Sequence, residues 1–583
     1  MASYRNHFTR RSLARTVLWG AVALVAIVPL AIAAQAQGAA QQGQGQSTSP
    51  PQVAAQRAEG LVRKPVGVRR IDTLPPISAE EIRLRPQPLP PLTGVPPATV
   101  AARKAEAARL RFATPRGSAA PAIPQRSPSS GKYTPIASVA VSSTNEGDCG
   151  NVTPADQALA VGDTNVGVLQ VINVCYNVFD KSGVQQAGYP KSLTSLVGLP
   201  ANTPTSHPRA IYDWINQRYI VAFIQLDPNF TSASSYWLAV STGDSPAGSF
   251  CIYNFPVQSV APSGGVFPLP DFPRLGQDRE AIYLASNIFT NPTTYQWEEI
   301  LALPKAQLYA CEGHGFSFSF FFDLTLNGVP TDTTQPANFY SRLDTPRSEI
   351  LVTSANIFFG GGQCSTGCNG LVVSAIHSPL NSPTLSSVFV PTISDYSLPP
   401  NASQPGAPNS IDTKDTRISG MVMDAAGTVY AALNTNGGSG QPAIFLYQIQ
   451  PFLDSNGNLD SARILNEIFF GGGPHSWYYA TQQPDPDGNV TTVYNFSNPL
   501  NFPGLAYSSR RVSQPVGSVS DYGFLFFPGQ GLYSQGRWGS YTAVAPAGLN
   551  TTTPTMWFAG MYARSDGTWG TAIGRNGYTD ISQ

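Results

Sequence analysis

The sequence predicts an all-β fold, a single β-propeller of seven blades with six or eight as alternatives, preceded by a disordered N-terminal linker. Three observations lead there. Gly and Pro together make 105 of the 583 residues (53 + 52), aromatics are 10%, and there are only 5 Met, a profile of short strands joined by turns. Charged residues are 12%, about half the usual share, which argues against a highly charged disordered chain. The third observation is a recurring apolar strand unit after about residue 130.

The N-terminal 36 residues read as an export signal. Arg5, Arg10, Arg11 and Arg15 form a basic start, Val17 to Ala33 an apolar run, and Ala34-Gln35-Ala36 a small-x-small cleavage site. Thr9-Arg10-Arg11-Ser12-Leu13 also resembles a twin-arginine signal, so both this route and the ordinary secretory route fit. An uncleaved anchor is the alternative, because the run from Thr16 to Ala34 is just long enough to cross a bilayer. The expected location is secreted, or periplasmic and cell-envelope.

Residues 37–130 hold 15 prolines and almost no aromatics, so they are expected to be a Pro/Ala/Gln-rich basic linker without a core, with only Ala98 to Phe112 helical. Residues 1–130 carry 17 Lys/Arg against 5 Asp/Glu, net +12. Subtraction from the 35 and 35 of the whole chain leaves 18 against 30, net −12, for residues 131–583. A basic stretch of this kind fits a tether to an anionic envelope surface, or a stiff spacer. The acidic remainder would repel phosphates, so nucleic acid is not an expected partner.

Residues 131–583 form the expected propeller. The unit begins at Ala155, His207, Phe272, Tyr340, Asp415 and Gly536, with a degenerate copy over His475 to Gln482, and each has room for four strands. The unassigned stretch Pro135 to Ser142 would complete the short last unit by closing the ring. Six cysteines, Cys149, Cys175, Cys251, Cys311, Cys364 and Cys368, fit disulfides in an oxidising compartment. Cys364 with Cys368 is the expected local bridge, and Cys149 with Cys175 a second.

The units at His207, Phe272 and Gly536, with Pro154 to Gly162 (PADQALAVG), resemble those of largely uncharacterised secreted bacterial β-propeller proteins. The resemblance covers most of residues 131–583. It implies a fold and export, and no reaction.

Five arginines recur in the units, Arg209, Arg274, Arg342, Arg417 and Arg537, and are expected at equivalent inner-strand positions with Asp213 and Asp278 nearby. Converging guanidiniums would form an anion site. Paired with carboxylates and carbonyls of neighbouring blades, they would be structural latches. His207 and His475, each near a unit start, complete the candidate ligand-binding set.

Patterns for defined chemistry are thin. The repeated loop of sialidases is absent, and Glu298-Glu299 on a strand would point to opposite faces. There is no H-E-x-x-H, no G-x-S-x-G and no phosphate-binding lysine beside the duplicated IFFGGG, so neither cofactor nor metal is expected and catalytic residues are unassigned. Asp454 to Asp460 alternates oxygen side chains as calcium loops do, yet an Asn-Gly turn explains the same residues. The expected function is a monomeric binding propeller for a glycan or other anionic extracellular ligand. A polysaccharide hydrolase or lyase using the same face is the alternative, and whether the chain is an enzyme is left open.

Overall fold

Apolar runs of four to eight residues, broken every few residues by Gly, Pro, Asn or Asp, pair with the next such run in sequence and build antiparallel meanders. The computed structural model describes residues 53–84, 92–111, 139–150, 152–257, 266–311, 313–326, 329–340, 348–355, 368–510, 512, 524–548 and 555–577. The expected export signal lies outside them. No described helix is long and apolar enough to cross a membrane.

Most of the described strands group into seven four-stranded meanders, two of them joined into one larger sheet through the short strand Asn338–Phe339, and Ala402–Gln404 with Ala407–Ile411 forms a separate two-stranded sheet. Their leading strands are Gln157–Val161, Thr205–Asp213, Leu269–Gln277, Gln335–Pro336, Ile418–Met423, Ser476–Pro484 and Ala543–Pro546. All seven begin within about seven residues of the unit starts expected from sequence, the fourth upstream of Tyr340 with only Gln335 and Pro336 pairing with the next strand. The seventh meander is completed by Val139–Asn145, which pairs with Trp569–Gly577, so the beginning and end of the domain share one sheet.

Each leading strand neighbours the next, and that of the seventh meander neighbours that of the first. The sheets pack face on face in the same cyclic order. Tyr176 and Val178 of the first meander meet Val221 and Ala239 of the second, and Leu238 and Val240 of the second meet Leu284 and Leu301 of the third. Trp557 and Ile573 of the seventh likewise pack with Leu159 and Val168 of the first. Both faces of the middle strands, such as Val168–Ile172, Ser235–Ser241 and Val429–Asn436, are therefore buried and these read as continuous apolar runs, whereas the outer strands Thr384–Tyr396 and Leu459–Phe470 stay partly exposed.

Within the expected linker, Val53–Arg63 adds a strand to the edge Phe316–Leu326 and Gly67–Arg70 adds one to Ser249–Pro256, while helix Pro97–Arg109 falls where Ala98 to Phe112 was expected to be helical. Proline-rich composition excludes a core of its own, but edge strands elsewhere supply the missing backbone partners. The Cys149–Cys175 bridge is present, and a second, Cys251–Cys311, ties the outer strand of the second meander to the end of helix Lys305–Ala310. The 364/368 pairing falls on Cys364, outside the described residues. Asp454 caps the turn of a hairpin, its Oδ1 accepting from Asn456 N (2.8 Å) and Asn458 N (2.9 Å), as the turn reading requires.

Ile573 is fully buried between the last and first sheets. Ile573→Ala should cost about 2–5 kcal/mol in urea unfolding, the range for a well-packed core truncation. A loss below about 0.5 kcal/mol, the size of an ordinary surface substitution, would deny that contact.

Candidate functional site

A cavity of about 550 Å³ opens where several leading strands begin. Its charged lining comes from distant parts of the chain and includes Lys104, Asp156, His207, Asp271, Arg417 and Arg537, with Asp412, Lys414 and Asp415 beside Arg417. Two matching local structures aim His207 and its neighbours inward. His207 and Phe272 each have positive φ (50° and 51°), each precedes a proline, and each sits in a β-bulge before Arg209 or Arg274. A left-handed conformation in a bulky residue costs on the order of 1–3 kcal/mol, and a bulge re-aims side chains, so the repeated H/F-Pro-Arg is a shaped feature.

His207 stands between two carboxylates, with Nε2 2.9 Å from Asp271 Oδ1 and Nδ1 2.8 Å from Asp156 Oδ2. The Nδ1 contact has ion-pair distance without the direction of a hydrogen bond, so it is charge pairing. Burial alone would depress the imidazole, but Asp156 and Asp271 outweigh it and raise the group to about 9. Burial would likewise raise Asp271, yet His207 and then Arg417 hold it down at about 2. Asp156 is lowered against its burial by His207 and by the Ser540 amide, which donates to Oδ1 at 2.8 Å.

The same pattern holds beside it. Asp415 binds Arg417 through two contacts, Nε to Oδ1 at 2.7 Å and Nη2 to Oδ2 at 2.5 Å, and is lowered by that arginine against its burial. Asp412 faces Lys414 at 3.3 Å and is lowered, the lysine overcoming burial. The Arg417 guanidinium also lies 4.3 Å over the Phe272 ring. All four carboxylates are thus held ionised. The carboxyls that burial raises, such as Asp278 and Glu349, are not among the cavity's lining.

The five expected arginines do not share one role. Arg274 is fully buried and saturated: Nε donates to Thr334 O at 2.7 Å, Nη1 to Phe272 O at 3.0 Å, and Nη2 pairs with Glu298. Arg209 matches it in register, opposite Ala222 as Arg274 is opposite Ala285, but its guanidinium lies 4.3 Å over the Tyr541 ring. Arg417 precedes its strand by one residue and Arg537 precedes Ala543–Pro546 by six, so neither occupies the expected inner-strand position. Arg342 lies outside the described residues. Aligning by residue type rather than by the bulge produced the mismatch.

Asp213 and Asp278 end matching strands and both cap the turns that follow, accepting from Ile215 N and from Ala281 N. Asp213 further pairs with Lys305 at 2.7 Å. His475 is not in the cavity's lining: it stacks on Phe496 (5.8 Å) and shares a 3.1 Å hydrogen bond with Asn498. Glu298 meets Arg274 while Glu299 accepts from Tyr236 Oη at 2.5 Å, so adjacent carboxylates do serve opposite faces. The sequence reading missed Asp271, Asp412 and Lys414 as site residues; the Pro-Asp-Phe-Pro-Arg text beside Ser-His-Pro-Arg was the available signal.

No family model and no curated protein sequence matches the chain. Among solved structures it is similar to a protein of unknown function from Dyadobacter fermentans (12% identity, 64% of this chain and 94% of that one, TM-score 0.30). It is also similar to an exo-β-1,3-galactanase from Phanerochaete chrysosporium (10%, 77% and 99%, TM-score 0.28). A third is a Cellvibrio cellulosa α-L-arabinanase complexed with arabinohexaose (8%, 63% and 95%, TM-score 0.27). Likeness at this distance assigns no activity.

Two outcomes follow from the charges. Arg274→Gln leaves Glu298 buried without its cation and should cost about 3–5 kcal/mol, while Arg209→Gln should cost under about 1 kcal/mol, as measured by chemical unfolding. His207 has a folded value raised above its unfolded one, so its stabilisation is complete below about pH 6.5 and fades as pH rises through about 9. The wild type should lose stability across that window, and His207→Gln should flatten the loss; parallel curves would contradict the carboxylate pairing.

Proposed function

We propose that the chain is a secreted or envelope-held, monomeric, seven-bladed β-propeller that binds a glycan or another polar extracellular ligand in this cavity. The cyclic packing of seven meanders and the strand shared between the domain's two ends support the propeller. Two disulfides support an oxidising compartment. The basic residues 1–130 suit contact with an anionic envelope surface, and the net −12 of the remainder disfavours nucleic acid.

The observation that carries binding over catalysis is the protonation state of the lining. Glycoside hydrolysis by the two-carboxylate route needs one carboxyl raised enough to donate a proton near neutrality. Here Asp156, Asp271, Asp412 and Asp415 are all lowered, and His207 is held as a cation. Such groups offer fixed donors and acceptors to hydroxyls and charges, with Phe272 as an apolar surface. The hydrolase or lyase reading retains one favourable feature, carboxylates from separate sheets on either side of His207.

A glycan array with a reducing-end assay on the purified chain separates the two. Retention of one glycan class without new reducing ends is expected, and Arg417→Gln should weaken that retention about tenfold or more, in line with loss of a buried polar contact. Release of products would overturn the binding reading.

A further inference from the structure

One wall of the cavity is a helix from the N-terminal part of the chain. Helix Pro97–Arg109 has proline at its first position and an alanine-rich body, both favourable to a helix. Val100, Ala101, Lys104, Ala105 and Ala108 line the cavity, spaced as one helical face. The segment is held at both ends. Thr93 N donates to Pro292 O at 2.9 Å, and Asn436 Nδ2 donates to Ala107 O at 2.7 Å. Gly440, at φ +83°, lies so near that a Cβ there would meet Ala108 O at 2.8 Å.

Lys104 is the centre of this contact. It is 8% exposed, and Nζ donates to Pro399 O (2.9 Å), Thr413 Oγ1 (3.1 Å) and Lys414 O. These three acceptors match the three donors of an ammonium. Burial lowers the group to about 8, with Asp412 and Asp415 opposing the shift, so it is charged at neutral pH. The acceptors belong to the chain leading into Ile418–Met423, some 300 residues from Lys104. They form a cradle for a primary ammonium, and leaving such acceptors unmet beside two carboxylates is costly.

We propose that Lys104 of helix Pro97–Arg109 is a built-in occupant of the cradle in the cavity wall and holds the place taken by the primary amine of an amino-sugar glycan when the helix moves aside. The inference rests on the binding reading above. Amines are selected by the cradle, and sugar hydroxyls by the neighbouring Asn401, Asn409 and aspartates.

The test uses the full chain and Lys104→Ala. Propylammonium should raise the melting temperature of Lys104→Ala saturably, with 1-propanol inert and the wild type unresponsive to both. Glucosamine oligomers should bind Lys104→Ala about tenfold more tightly than the wild type, since the in-chain competitor is weakened. N-acetylated oligomers should show no such gain. Should Lys104→Ala fail to fold, Gly440→Ala disturbs the helix contact from outside the cradle and should give the same gain for glucosamine oligomers. Absence of the propylammonium effect, equal binding of N-acetylated oligomers, or binding of oligolysine in place of glucosamine would overturn the inference. Binding of neutral glycans alone would overturn it while leaving the binding reading intact; binding of no glycan by either protein would count against both.

Discussion

The pairing of Val139–Asn145 with Trp569–Gly577 is the constraint on which the arrangement depends. Meanders stacked face on face leave two apolar faces bare, one at each end of the stack, unless the last sheet reaches the first. An early strand placed in the final sheet achieves this, and polar contacts fasten it. Thr571 Oγ1 donates to Thr144 O at 2.9 Å, and Asn177 Nδ2 of the first meander donates to Thr144 Oγ1 at 3.2 Å. Trp557 and Ile573 then meet Leu159 and Val168, and no apolar sheet face is left over at that junction.

The same junction also brings the site together. Asp156 receives the Ser540 amide from the seventh meander's side, His207 from the second, and lies across His207 from Asp271 of the third. Groups scattered over nearly four hundred residues of sequence become mutual counter-ions. Their opposed charges are what make the burial tolerable: an isolated carboxylate there would take up a proton, whereas each of these is held ionised by a cation. A fixed, balanced array of this kind recognises polar ligands through geometry more readily than it transfers protons. The helix carrying Lys104 adds one more cation to it.

Much of the fold was legible because its cause is local. Buried sheets require apolar strands, strands require turns, and the regular return of both marked all seven leading strands to within about seven residues, the largest offset being that of Ala543–Pro546 from Gly536. The packed segment 53–70 was hidden because its order comes from edge strands hundreds of residues away, which local composition cannot report. Outside the cavity's lining, Arg274 binds Glu298 of its own meander and Thr334 O ahead of the fourth, so only the carbonyl contact is of the blade-to-blade kind that sequence reading considered. Asp271 and Asp412 escaped notice because single aspartates carry no motif, and their role exists only after the sheets meet.

A designed cross-link tests closure most directly. Ser142 and Ala572 are opposed in register across the first and last strands of the domain, where cross-strand Cβ atoms stand about 4.5–5.5 Å apart. In the Ser142→Cys/Ala572→Cys chain, mass spectrometry after oxidation of the folded protein should find these two residues in one disulfide, with a raised unfolding midpoint. Two free, titratable thiols in the folded, oxidised protein would contradict the shared sheet, and with it the gathering of Asp156, His207 and Asp271 into one cavity.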